Sequence, residues 1–187
     1  MVARFEPLLT VEVLDLMPDD GNIYELIDGE LTVSRAPGLK HQQIVSRIIV
    51  IIEKFLEDTP SGILVPAPGV LLSDFSGVIP DLVYLTHDRR KEIATGEKIT
   101  GSPNLVIEII SPGTDNALRD REIKRQLYAK YQVPEYWIFD PENQSIEVYR
   151  LKRKSLHLVS QLKDEDTLKS PLFPGFEMPA RQFFKLP

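Results

Sequence analysis

Cysteine is absent from this chain, which excludes a disulfide scaffold, a thiolate zinc site and a cysteine nucleophile together. Long apolar runs are absent too, and no stretch approaches the roughly 20 residues that a membrane-spanning helix needs. The opening MVARFEPLLTVEVLDL carries acids inside its apolar part and no small-residue cleavage site, so it is not expected to be a secretion signal. These absences point to a cytoplasmic protein with no membrane partner. An excess of positive charge is also missing. With 22 Lys+Arg against 28 Asp+Glu the formal charge is −6, which argues against binding nucleic acid through a broadly basic surface. Basic residues do gather at Arg89-Arg90-Lys91, along Arg119 to Lys130, and at Arg150 to Lys154, but each group taken alone reads as a solvated face. No GxxxxGK[ST], GxGxxG or GxSxG occurs, so nucleotide-dependent and serine-hydrolase chemistry have no support.

What is present is ordinary in bulk, 42% hydrophobic and 27% charged. A chain of 187 residues predicts a single domain over 1–187, long enough to bury a sizeable core. The core elements fall in 23–151 and a proline-punctuated tail, expected to wrap over the surface, in 152–187. YELIDGELTVS predicts a β-hairpin turning at Asp28-Gly29. His41 to Glu57 predicts a helix with an apolar stripe from Ile44 to Phe55, and IPDLVYL a strand. The order of strands and helices predicts an α/β fold with a mixed sheet.

The informative stretch is NLVIEIISPGTDNALRDREIKRQLYAKY, residues Asn104 to Tyr131. LVIEII reads as a strand buried on both faces, interrupted by one acid, Glu108. A charged carboxylate there costs several kcal/mol unless something compensates it. A helix is expected from about Asn116, capped by Thr114 or Asp115, with Asp120, Lys124, Leu127, Tyr128 and Tyr131 on one face. The strand climbs roughly 10 Å from Glu108 to Ser111. A helix folding back at about 1.5 Å per residue brings Lys124 to the level of Glu108. The alternative for Lys124 is a solvated i,i+4 pair with Asp120.

Asp81 interrupts the strand IPDLVYL as Glu108 interrupts its own. One buried acid is ordinarily a cap or an ion-pair partner. Two on neighbouring strands, facing one way, repel unless a cation joins them, and oxygen donors without cysteine suit Mg²⁺ or Mn²⁺. Such an ion beside a lysine can hold a scissile phosphate and activate water. His41 reads as a packed helix-start histidine or a site residue, and Glu30 as an exposed strand acid or a more distant metal contact.

These residues in this order resemble the Uma-type family of restriction-endonuclease-like proteins, within the PD-(D/E)XK nuclease superfamily. The matching pieces are YELIDGEL (24–31), His41 opening a helix, PDLVYL (80–85), VIEIISPGT (106–114), RDREIKRQLYAKYQVPEYWIFDP (119–141) and VYRL (148–151). The resemblance implies a restriction-endonuclease-like core that binds Mg²⁺ and cuts DNA. Pro80-Asp81 stands at the PD and Glu108 at the (D/E). Ile110 stands where the pattern has lysine, and Lys124 is assigned as that lysine, migrated to the next helix. The expected site is then Asp81, Glu108 and Lys124 as catalytic residues. Asp81, Glu108 and the Ile109 carbonyl are the metal ligands, and Glu30, His41 and Asp120 take supporting roles. The expected function is a metal-dependent DNA endonuclease, with a homodimer as the simplest way to cut both strands. Two alternatives are a catalytically silent nuclease fold serving binding or assembly, and an RNA-processing nuclease.

Overall fold

The computed structural model describes residues 8–94 and 96–186. The opening stretch therefore lies partly outside the described residues, as do the side chains of Thr114 and Asp115, expected to cap a helix.

After a short 3₁₀ turn at Val11–Leu16, strands β1 (Asn22–Ile27) and β2 (Glu30–Arg35) form the predicted hairpin. Its two turn residues, Asp28 and Gly29, have φ of 51° and 85°. Positive φ at both central positions matches the right-handed twist of the flanking strands, which is why Asp-Gly sits there. A Cβ on Gly29 would also come within 2.8 Å of Leu8.

Helix α1 (Leu39–Asp58) buries His41, Ile44, Val45, Ile48, Ile51, Ile52 and Leu56. Full burial of each such aliphatic side chain is worth about 1.5–3 kcal/mol. Strands β3 (Gly62–Pro66), β4 (Val70–Ser73), β5 (Ser76–Val78) and β6 (Leu82–Thr86) follow. Helix α2 (His87–Ile93) and strand β7 (Ile99–Thr100) then occupy a segment whose charge predicts loop with some helix. Strand β8 (Leu105–Ile109) is buried along its whole length, as its unbroken apolar run requires.

The helix after β8 is not continuous. It runs as α3 (Thr114–Leu118), a π-helical segment (Arg119–Lys124) and α4 (Arg125–Lys130). Strands β9 (Glu135–Asp140), β10 (Ser145–Lys152) and β11 (Ser155–Lys163) complete one sheet of order β11-β10-β9-β8-β6-β3, in which only β8 and β9 pair in parallel. A second sheet, β2-β1-β5-β4-β7, stands beside it.

The tail does more than cover the surface. Strands β12 (Thr167–Leu168) and β13 (Met178–Pro179) and helix α5 (Arg181–Phe184) send Phe173, Phe176, Phe183 and Phe184 into the core beneath α1. These rings meet Phe139, Tyr84, Trp137 and Phe55 edge-on or tilted, so the core would have a hole without them. The fold is thus the expected mixed α/β arrangement, with sheets flanked by helices. No helix among the described residues is long and apolar enough to cross a membrane.

Strand alternation sorts the central sheet into two faces. Leu82, Tyr84, Leu105, Ile107 and Ile109 pack toward α1 and the tail. Val83, Leu85, Val106 and Ile110 pack toward α4, with Leu127 and Tyr128. Asp81 and Glu108 share this second parity. The antiparallel register Leu82↔Ile107 and Val83↔Val106 puts them opposite one another just past the paired residues.

Candidate active site

The carboxyl groups of Asp81 and Glu108 and the ammonium of Lys124 meet at one cleft of about 400 Å³. Lys124 Nζ lies 3.0 Å from Glu108 Oε1. The predicted return of the helix over the strand is therefore realised, and Lys124 is not the solvated partner of Asp120. It is buried, and its second ion-pair partner is Glu25, with Oε1 at 3.1 Å. Tyr128 donates its hydroxyl to the same Glu108 oxygen at 2.7 Å.

Asp81 is fixed from two directions. The Ile109 amide donates to its Oδ2 at 2.7 Å, and His41 Nε2 lies 3.1 Å from that oxygen. The Asp81 amide in turn points at Glu108 Oε2, at 3.4 Å. His41 is buried in the first turns of α1, so it orients Asp81 rather than reaching into solvent. Ile109 packs its side chain into the core on the α1 side, and what it turns to the cleft is main chain. Asp120 is buried at the cleft wall, with Arg119 Nε 3.5 Å from its Oδ1.

Glu30 is not brought in. It is exposed at the start of β2 and does not line the cleft. The acid the hairpin delivers is Glu25, buried in β1 and held by the Ile79 amide at 2.9 Å. Sequence reasoning passed over it although the signal was there. Glu25 interrupts the apolar series Tyr24, Leu26, Ile27 as Asp81 and Glu108 interrupt theirs. Tyr128 packs in the core, but its hydroxyl belongs to the site.

Burial pushes the Glu108 carboxyl up to about 8, against the pull of Lys124 and with further upward pressure from Asp81, Asp120 and Glu25. Burial likewise raises Asp120, opposed by Lys124 and Arg119. Burial pulls the Lys124 ammonium down, but Glu108, Glu25 and Asp120 outweigh it and leave its pKa raised. Lys124 therefore stays cationic across the neutral range. The cleft gathers four carboxyl groups, Glu25, Asp81, Glu108 and Asp120, against the basic side chains of Lys124, Arg119, His41 and the exposed Arg35 at its rim.

Three buried polar side-chain atoms have no hydrogen-bond partner among the described residues: His41 Nδ1, Arg119 Nε and Asp120 Oδ1. All three residues line this cleft. Buried polar groups are nearly always satisfied, so their convergence marks a place built for water, an ion or a substrate group. The donor set fits a hard divalent ion of the Mg²⁺ kind, which is held by one or two carboxylates and otherwise by water. It does not fit an ion enclosed by protein, since no group of three or more His, Asp or Glu among the described residues is placed to hold one.

Fold and cleft together are those of a mixed α/β protein whose buried acids and lysine meet beside β6 and β8, two interior strands of the sheet. A family model described as "Putative restriction endonuclease", Uma2, matches residues 7–181, and the chain belongs to that family. Among solved structures, the fold is similar to that of a protein from Anabaena variabilis described as "a putative nuclease belonging to DUF820". The TM-score is 0.75 at 17% identity, covering 94% of this chain and 97% of that one. No curated protein matches the chain.

Proposed function

We propose that the protein is a DNA endonuclease that hydrolyses phosphodiester bonds with a divalent cation, Mg²⁺ or Mn²⁺. The observation that carries this reading is the meeting of Asp81, Glu108 and Lys124 in a cleft that also holds three unsatisfied buried polar atoms. Asp81 and Glu108 would hold the ion, with the Ile109 main chain alongside. Bound there, the ion supplies positive charge against the phosphate oxygens and a more acidic water.

The protein's own groups do the rest. His41 and the Ile109 amide hold Asp81 in one orientation, and Tyr128 and Lys124 hold Glu108. An ammonium has three N–H groups; Lys124 donates one to Glu108 and stands in an ion pair with Glu25, which leaves N–H capacity for an attacking water or a phosphate oxygen. Because Lys124 remains cationic, its part is to orient and to offset developing negative charge, not to take a proton.

The test is nicking of supercoiled plasmid with Mg²⁺ or Mn²⁺. Asp81→Asn, Glu108→Gln and Lys124→Ala should each lower the rate by about a hundredfold or more. A wild-type protein inert on DNA under all metal conditions would sink the reading. One observation favours a second reading, a nuclease fold that binds without cutting: Lys124 is already engaged by two carboxylates. That reading predicts unchanged DNA affinity when Asp81 and Glu108 are both replaced, and no rise in melting temperature with Mg²⁺.

A further inference from the structure

The segment from Arg119 to Arg125 carries three arginines, and the fold treats them differently. Arg121 is fully engaged, Nε to Glu147 at 2.8 Å and a terminal nitrogen to Asp140 at 2.8 Å. Arg125 is also tied down, to the Arg121 carbonyl, the Leu156 carbonyl and Glu122. Arg119 is not. Its side chain is only 22% exposed, yet its Nε has no hydrogen-bond partner among the described residues. Its ion-pair partner is Asp120, whose Oδ1 lies 3.5 Å from Nε, at the outer limit of a hydrogen bond, and neither atom has a better partner among the described residues. Arg119 lines the cleft that holds Asp81, Glu108 and Lys124.

A guanidinium is a rigid fork of five donors whose geometry matches a phosphate through two parallel N–H bonds. Burial disfavours the charged guanidinium, and the charges of Asp120, Glu25 and Glu108 compensate it, yet among the described residues no acceptor takes its Nε–H in a well-formed hydrogen bond. We infer that Arg119 is the phosphate-gripping arm of the cleft, binding a phosphodiester oxygen of a nucleic acid strand beside the group attacked at Asp81 and Glu108. The inference rests on the nuclease reading of the cleft, and it adds the residue that holds the strand. Arg119 acts by direct contact with substrate. Its approach to Asp120 orients the fork and is no substitute for the ligand.

The test is fluorescence anisotropy of the full chain with labelled oligonucleotides in three arms: single-stranded DNA, duplex DNA and RNA. Binding is measured in Ca²⁺ over a series of salt concentrations. On the arm the protein binds best, Arg119→Gln should weaken binding roughly ten- to hundredfold and reduce the salt slope by about one. Arg119→Lys should restore part of the affinity, because the charge survives and the fork does not. Arg90→Ala, which removes an equal charge from an exposed site on α2 outside the cleft, should change affinity by less than twofold. Melting temperatures confirm that each variant is folded.

Affinity and slope unchanged in Arg119→Gln, an equal effect from Arg90→Ala, or no binding by the wild type in any arm would each overturn the inference. Arg119-dependent binding without cleavage of any arm would sustain the inference and remove the endonuclease reading. Cleavage with affinity indifferent to Arg119 would do the reverse.

Discussion

Glu108 sits where a carboxyl group is least at ease, mid-strand and buried, with three other acids in the same cleft. Its pKa, raised from 4.5 to about 8, has a consequence for stability whose sign follows from proton counting. Between those values the folded state keeps a proton that the unfolded chain has released, so stability falls as pH rises. Glu108→Gln should flatten the pH dependence of the melting temperature in chelator from about pH 4.5 to about 8, relative to wild type. Identical profiles would show that burial and neighbouring acids do not act on this group. Divalent ion competes with that proton, so Mg²⁺ should raise the wild-type melting temperature more at pH 8 than at pH 6. Tyr128→Phe removes the 2.7 Å hydrogen bond to Glu108 and leaves a buried acceptor short of a donor. It should cost about 1–3 kcal/mol in urea unfolding, since the ring itself is kept.

At the scale of elements, the π-helical segment at Arg119–Lys124 is the feature that local pattern did not reveal. Helical spacing suffices to put Asp120, Lys124 and Tyr128 on one face, and that much was legible. The wider turn is not, because the same residues read as good α-helix formers throughout. It buries Asp120 and Lys124 together at the cleft, a placement typical of such turns at functional sites. Deleting Ile123, which is 48% exposed, should let the segment relax to α-helix. Each residue of α-helix turns about 100°, so with α4 anchored by Leu127 and Tyr128 the deletion would swing Arg119 and Asp120 out of register with Lys124. Plasmid cleavage should be lost with the circular dichroism spectrum kept; retained cleavage would show that the π turn is dispensable. The hairpin gives the opposite lesson. Its turn is plain from Asp28-Gly29, yet the acid that reaches the cleft is Glu25 inside the strand and not Glu30 beside the turn. Alternation along β1 says which acid points inward only once the buried face is known.

On the scale of the whole molecule, the tail is part of the core. Phe183 is fully buried against Phe139, on the opposite side of the sheet from Glu108. Phe183→Ala should cost about 3–5 kcal/mol by urea unfolding. At low temperature, cleavage per folded molecule should stay near wild type, because the two faces of the sheet hold separate clusters. A large loss of specific activity without a loss of stability would contradict that separation.

The amino-acid sequence alone determined the class of fold, the two strand acids and the amine that meets them. It could do so because strand alternation, helix rise and a single chain reversal are local quantities that reach no further than Glu108 to Lys124. Asp81 was legible for a related reason, since an acid in an apolar strand is conspicuous wherever the strand lies. Tertiary structure alone decided that Glu25 joins Lys124, that His41 orients Asp81, that Arg119 Nε finds no hydrogen-bond partner among the described residues, and that the terminal phenylalanines fill the core. Each of these depends on how elements far apart in the chain dock, and docking is set by packing across faces that no periodicity within one segment records.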